Sequence, residues 1–122
     1  MVKEYLIRLS WPARDLSSNS RAHWAKRARA AKDYRTEAWA ECKRHQVQPM
    51  PGATLEFSYS PPDRRRRDAQ NMPHALKSAI DGVADAMGCD DHSFRCVFPS
   101  QFASPVKGGC VLVHIKPEEG ND

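Results

Sequence analysis

A chain of 122 residues, 40% hydrophobic and 28% charged, is sized and composed for one domain with a modest core of its own. It contains no apolar run near the ~18 residues that a membrane span needs. Its N-terminus, MVKEYLIRLSW, alternates and carries Lys3, Glu4 and Arg8, unlike a secretory leader, so a cytoplasmic protein that neither crosses nor rests on a membrane is expected.

The formal net charge of +4 and a pI of about 9.0 are mild for a nucleic-acid binder, but the charge is unevenly placed. Arg14 to His45 holds nine Lys/Arg against four Asp/Glu, whereas the last residues read EEGND. The expected organisation is a single domain over 1–117 and an acidic, disordered tail over 118–122. Cys42, Cys89, Cys96 and Cys110 form no C-x-x-C pair, and in a cytosolic setting reduced thiols are the default. His92 lies between Cys89 and Cys96, but that spacing matches no common structural zinc pattern.

Taken in chain order, residues 3–11 alternate, with Tyr5, Ile7, Leu9 and Trp11 on one face, as a half-buried strand does. Pro12 stops it, and DLSSNS supplies turn and capping residues. Residues 21–45 predict a long helix ending before Pro49 and Pro51, with Trp24, Ala28, Ala31, Ala38 and Cys42 along its apolar stripe and Trp39 beside it. ATLEFSYS predicts a second strand with Leu55, Phe57 and Tyr59 inward. NMPHALKSAIDGVADAMG predicts a second helix: Asn71 can cap it, Pro73 is tolerated in its first turn, and Gly88 ends it. Its Leu76, Ala79, Ile80, Val83 and Met87 recur at helical spacing. Residues 94–98 and 110–115 predict two more strands, expected to pair antiparallel, the last of them covered on both faces. The order β-α-β-α-β-β implies an α/β (α+β) domain, a four-stranded mixed sheet with two main helices.

The chemistry concentrates around DRRRRDAQN, residues 63–71. Arg64, Arg65, Arg66 and Arg67 can grip phosphate bidentately. Asp68 stands at the exit of the second strand, Lys77 and Asp81 are one helical turn apart, and Asp90 and Asp91 follow the helix. A helix of this length carries the chain ~25 Å, so the periodicity alone leaves open whether Asp91 returns beside Asp68. If it does, clustered carboxylates beside arginines make sense around a cation. Mg²⁺ binds through one or two carboxylates plus phosphate oxygens, and it promotes phosphodiester hydrolysis. The bland alternative is a solvated arginine loop and a routine surface ion pair.

PDRRRRDAQN followed by LKSAIDGVADAMGCDD resembles the RusA-type Holliday junction resolvases. The likeness extends to LSWPARDLSSNSRAHWAKRARAAKDYR and to PVKGG. It implies a homodimeric, Mg²⁺-dependent endonuclease (Mn²⁺ can substitute) that nicks two opposed strands of a four-way DNA junction. Such an enzyme acts in recombination and repair on cytoplasmic, nucleoid-associated DNA, encoded by a host, a phage or a prophage. On this resemblance Asp68 and Asp91, with Asp90 next to it, are metal ligands. Lys77 is the catalytic lysine, Gln70 occupies a catalytic position, and Asp81 is a secondary candidate. Arg64 to Arg67 and Asn71 contact DNA. Around the start of the first helix, Asn19, Arg21 and His23 offer a second phosphate contact or merely a capping turn.

Two features depart from the family's R-D-x-D-N signature. Gln70 replaces its second aspartate, and the segment from Asn71 to Lys77 is about three residues longer. Weakened cleavage with retained branched-DNA binding is therefore the alternative expectation. A C2 dimer would supply two equivalent sites for two opposed strands. Trp24, Trp39, Phe98 and Phe102 are its apolar candidates, each set against an ordinary place in the core.

Overall fold

The computed structural model describes residues 3–17 and 23–118. The tail over 119–122, Asn19 and Arg21 lie outside the described residues. Four strands and two long helices follow the expected order: β1 Tyr5–Ser10, α1 Trp24–Arg44, β2 Thr54–Ser60, α2 Met72–Met87, β3 Arg95–Val97 and β4 Cys110–Lys116. Short 3-10 turns at Arg14–Leu16, Ala69–Asn71 and Asp91–Ser93 shape the connections. The result is an α+β domain with one four-stranded mixed sheet.

Period-two alternation builds the sheet's inner face. Ile7, Leu9, Leu55, Phe57, Tyr59, Val111, Val113 and Ile115 are all buried against the helices. The outer face, with Leu6, Arg8, Glu56, Leu112, His114 and Lys116, is open or half-open. β4 is thus covered on one face and half-covered on the other, which corrects the expectation of a strand buried on both sides.

Strand order is β1-β4-β2-β3. β4 runs antiparallel to both β1 and β2, and β3 pairs parallel with β2. The last two strands are therefore not partners. The loop 98–109 instead crosses the end of β2, donating Ala103 N–H to Tyr59 O (2.7 Å) and Val106 N–H to Pro61 O (3.0 Å). That crossing carries the chain past β2 into the slot between β1 and β2.

α2 matches its sequence pattern. Leu76, Ala79, Ile80, Val83 and Met87 are buried, and Gly88, at φ 71°, donates its N–H to Ala84 O and Asp85 O. Of the expected α1 stripe Ala38 and Cys42 are buried, but Ala28 is exposed and Ala31 half-buried, so the rest requires correction. Tyr34, Ala38 and Cys42 are its buried residues, while Trp24 and Trp39 stand 74% and 43% exposed. Around Ala38 the two helices cross closely. A Cβ on Gly82 of α2 would overlap the Arg35 carbonyl oxygen and stand 3.0 Å from Ala38 Cβ, so only small side chains fit between the helices. Phe98 and Phe102 are half-buried and pack against the core. At the far end of β1, Glu37 accepts both the N–H (2.6 Å) and the hydroxyl (2.5 Å) of Ser10, and Tyr34 donates to Ser10 O (2.8 Å). Burial pushes the Cys42 thiol up to about 12, as suits an inert core thiol.

Candidate functional site

The arginine loop is ordered by the acid that precedes it. Asp63 Oδ1 accepts the Arg65 N–H at 2.9 Å and lies 2.9 Å from Arg67 Nη2. Arg67 Nη1 also donates to the carbonyls of Asp63 and Arg65, both at 3.1 Å, and its guanidinium stacks 5.6 Å over the Trp11 ring. The Arg65 N–H and the Arg67 guanidinium together hold the Asp63 carboxyl below the usual carboxylate range. The four arginines are therefore not equivalent. Arg67, only 20% exposed at its side chain, is a strut, whereas Arg64, Arg65 and Arg66 project into solvent.

Asp68 follows the strut. It occupies the N-cap of the 3-10 turn and accepts the Gln70 N–H at 2.9 Å. Gln70 is exposed. Asn71 stands at the N-cap position of α2 without a side-chain capping hydrogen bond, and Pro73 sits in the first turn as expected. His23 caps α1 through Nδ1, which accepts the Ala25 N–H at 3.2 Å.

The left-handed turn at Gly88 sends the chain back along α2, and this brings Asp91 to Lys77. Lys77 Nζ lies 2.6 Å from Asp81 Oδ1 and 2.7 Å from Asp91 Oδ2. One ammonium thus bridges two carboxylates. Hydrogen bonds donated to Asp81, then Asp91, raise the Lys77 pKa, and Lys77 in turn holds Asp91 below the usual range. The backbone around Asp91 is fixed by Asp90, whose carboxylate accepts the His92 N–H (2.9 Å) and whose carbonyl accepts the Ser93 hydroxyl (2.7 Å).

Asp90, Asp91 and His92 present ligand atoms all within 4.8 Å of one another, so these residues are able to hold a metal ion. Among the described residues no other group of three such side chains forms, which leaves Asp68 outside it and leaves the cysteines ungathered. His92 joins this group through its place immediately after the Asp-Asp pair, not through the Cys89 to Cys96 spacing. For Asp63 the signal was its position two and four residues before Arg65 and Arg67.

No protein-family model matches this chain. The chain is similar to a protein of Xylella fastidiosa (strain Temecula1 / ATCC 700964), named "Uncharacterized protein", at 39% identity over 93 residues. The match covers 72% of this chain and 61% of that relative's length. No helix among the described residues is long and apolar enough to cross a membrane.

Proposed function

We propose that this chain is a metal-dependent endodeoxyribonuclease of the RusA type, which binds four-way DNA junctions as a homodimer and nicks two opposed strands. The observation that carries the reading is the return of Asp91 to Lys77 and Asp81, in a chain whose sequence joins that helix to an arginine loop. Arg64 and Arg66 are free to hold backbone phosphates, and Arg65, which also reaches Asp63 at 4.0 Å, is exposed beside them; Arg67 and Asp63 brace the loop that presents them. Asp90, Asp91 and His92 would hold the cation. Two carboxylates suit Mg²⁺ or Mn²⁺, and the imidazole tilts the set away from Mg²⁺. A bound divalent cation supplies charge stabilisation for the attacked phosphate. Lys77 keeps Asp91 ionised and offers a second cation to the developing charge. Trp24 and Trp39, exposed on α1, offer apolar surface to a dimer interface.

The second reading is a module that binds branched DNA without cutting it. Gln70 and the separation of Asp68 from the acidic group favour it. A labelled synthetic four-way junction, saturated with protein in Mn²⁺ or Mg²⁺, distinguishes the two. Paired nicks in opposed strands are expected. Intact strands at full occupancy would leave only the binding module, and no preference for a junction over linear duplex would remove both.

The braced loop gives a sharper expectation. Asp63→Ala raises net charge, so charge alone predicts tighter junction binding. If Asp63 pre-sets the arginines, the variant instead binds about fivefold more weakly, from the ordering cost of freed side chains. Its salt dependence stays nearly constant, because no cation is lost. Fluorescence anisotropy across a salt series reads both quantities.

A further inference from the structure

We propose that a groove beside the arginine loop seats one nucleotide of the bound strand, and that Gln101 reads the edge of its base. This rests on the DNA-binding reading above and adds a specificity-determining residue to it. The groove has a volume of about 760 Å³, within the range that accommodates small organic ligands. Its two walls differ in chemistry. Arg66, Arg67 and Asp68 form one, and Ser100, Gln101 and Phe102 form the other. On the first wall Arg66 is the cation available to a phosphate, with Arg67 held as a strut and the acid Asp68 beside it. The second carries no charge, only hydroxyl and amide groups at its exposed lip and an aromatic ring at its base. A nucleotide has the same polarity, with a phosphate at one end and a neutral, hydrogen-bonding, stackable base at the other.

The components are placed for this use. Arg66 and Gln101 are exposed and have no hydrogen-bond or ion-pair partner among the described residues, so both are available to a ligand. The Gln101 amide sets a donor beside an acceptor, the pattern that distinguishes base edges bidentately. Phe102 is fixed by Trp11 and Tyr59, with ring centroids 6.2 and 5.9 Å away, and Trp11 also carries Arg67. Trp11 therefore locks the two walls to each other. Backbone bonds from Ala103 to Tyr59 and from Val106 to Pro61 fasten the second wall to the exit of β2, from which the first wall also departs. Gly109, at φ 71°, lets that loop close against Pro62, where a Cβ would come within 2.9 Å of the proline ring. A groove with both walls set before binding discriminates bases at little ordering cost.

The test measures dissociation constants for a panel of four-way junctions that differ by one nucleotide at a time near the branch point. It omits divalent metal, so that no strand is cut. The unaltered protein is expected to favour one base at one position by on the order of tenfold. Gln101→Ala should erase that preference by lowering affinity for the favoured junction to the level of the others, which keep theirs. Three results would overturn the inference: no base preference in the unaltered protein, a preference that survives in Gln101→Ala, or an equal loss for every junction. Failure of the underlying reading is separable from these, because it appears as an absence of junction binding in the unaltered protein.

Discussion

Gly82→Ala is expected to cost about 3 kcal/mol and to lower Tm by about 10 °C, far beyond the usual effect of adding one methyl to a helix. Alanine is the better helix former, so intrinsic propensity predicts a slight gain. The opposing effect is steric and larger. The new methyl would overlap the backbone carbonyl of Arg35, which cannot rotate away without disturbing α1, and would press on Ala38 Cβ. Relief requires the helices to separate. That would also strain the exposed Arg35–Asp85 bridge (2.6 and 2.9 Å), whose contribution is itself small. Thermal unfolding followed by circular dichroism measures the loss. An unchanged or raised Tm would show that the helices do not cross at Gly82.

Lys77→Met is expected to lower junction cleavage by about 100-fold or more, while junction affinity changes little. The variant keeps the unbranched apolar stem and removes the cation between Asp81 and Asp91. It should also shift pH dependence in a definite direction. Lys77 depresses the Asp91 pKa in the folded protein. The stability from the pair is therefore full above the unfolded carboxylate value of about 4 and is lost as pH falls through the lower, folded value. Without Lys77 the Asp91 pKa rises, so the acid limb of the pH–rate profile moves to higher pH. Lys77→Arg retains a cation and should keep the limb near its original position. A Lys77→Met protein that cuts at the unaltered rate would show that Lys77 is only a surface partner of its two acids.

Much of the fold could be read along the chain because it is encoded locally. The alternation of β2 and β4, the apolar spacing of α2 and its Gly88 terminus each depend on neighbouring residues. Strand pairing does not. Nothing near Cys110–Lys116 says that it inserts between β1 and β2, because the cause is the path of 98–109 across the end of β2. The α1 stripe misled for a related reason. The spacing placed Ala38 and Cys42 correctly, but hydrophobicity also pointed to Trp24 and Trp39, which stand outside, and the close approach at Gly82 admits only a small side chain at Ala38.

The site divides in the same way. Lys77–Asp81 follows from helical spacing, and the return of Asp91 follows from the sharp turn at Gly88. The unequal roles of the four arginines were not legible, since a run of identical letters hides the backbone turn that makes Arg67 a strut. His92 was hidden because a metal group depends on side-chain convergence, which spacing alone does not report. Ser100 and Gln101 become neighbours of Arg66 only through the crossing loop.

The most direct measurement compares Asp91→Asn with the unaltered protein in strand cleavage of a four-way junction, at equal and saturating occupancy in Mn²⁺. Asp91 belongs both to the Lys77 bridge and to the group able to hold a metal, so a single amide substitution weakens both at once. The expected result is paired nicking by the unaltered protein and a loss of at least about 100-fold in the variant, with Tm and junction affinity nearly preserved. Equal cleavage by the two proteins would contradict the assignment of the chemistry to Asp91.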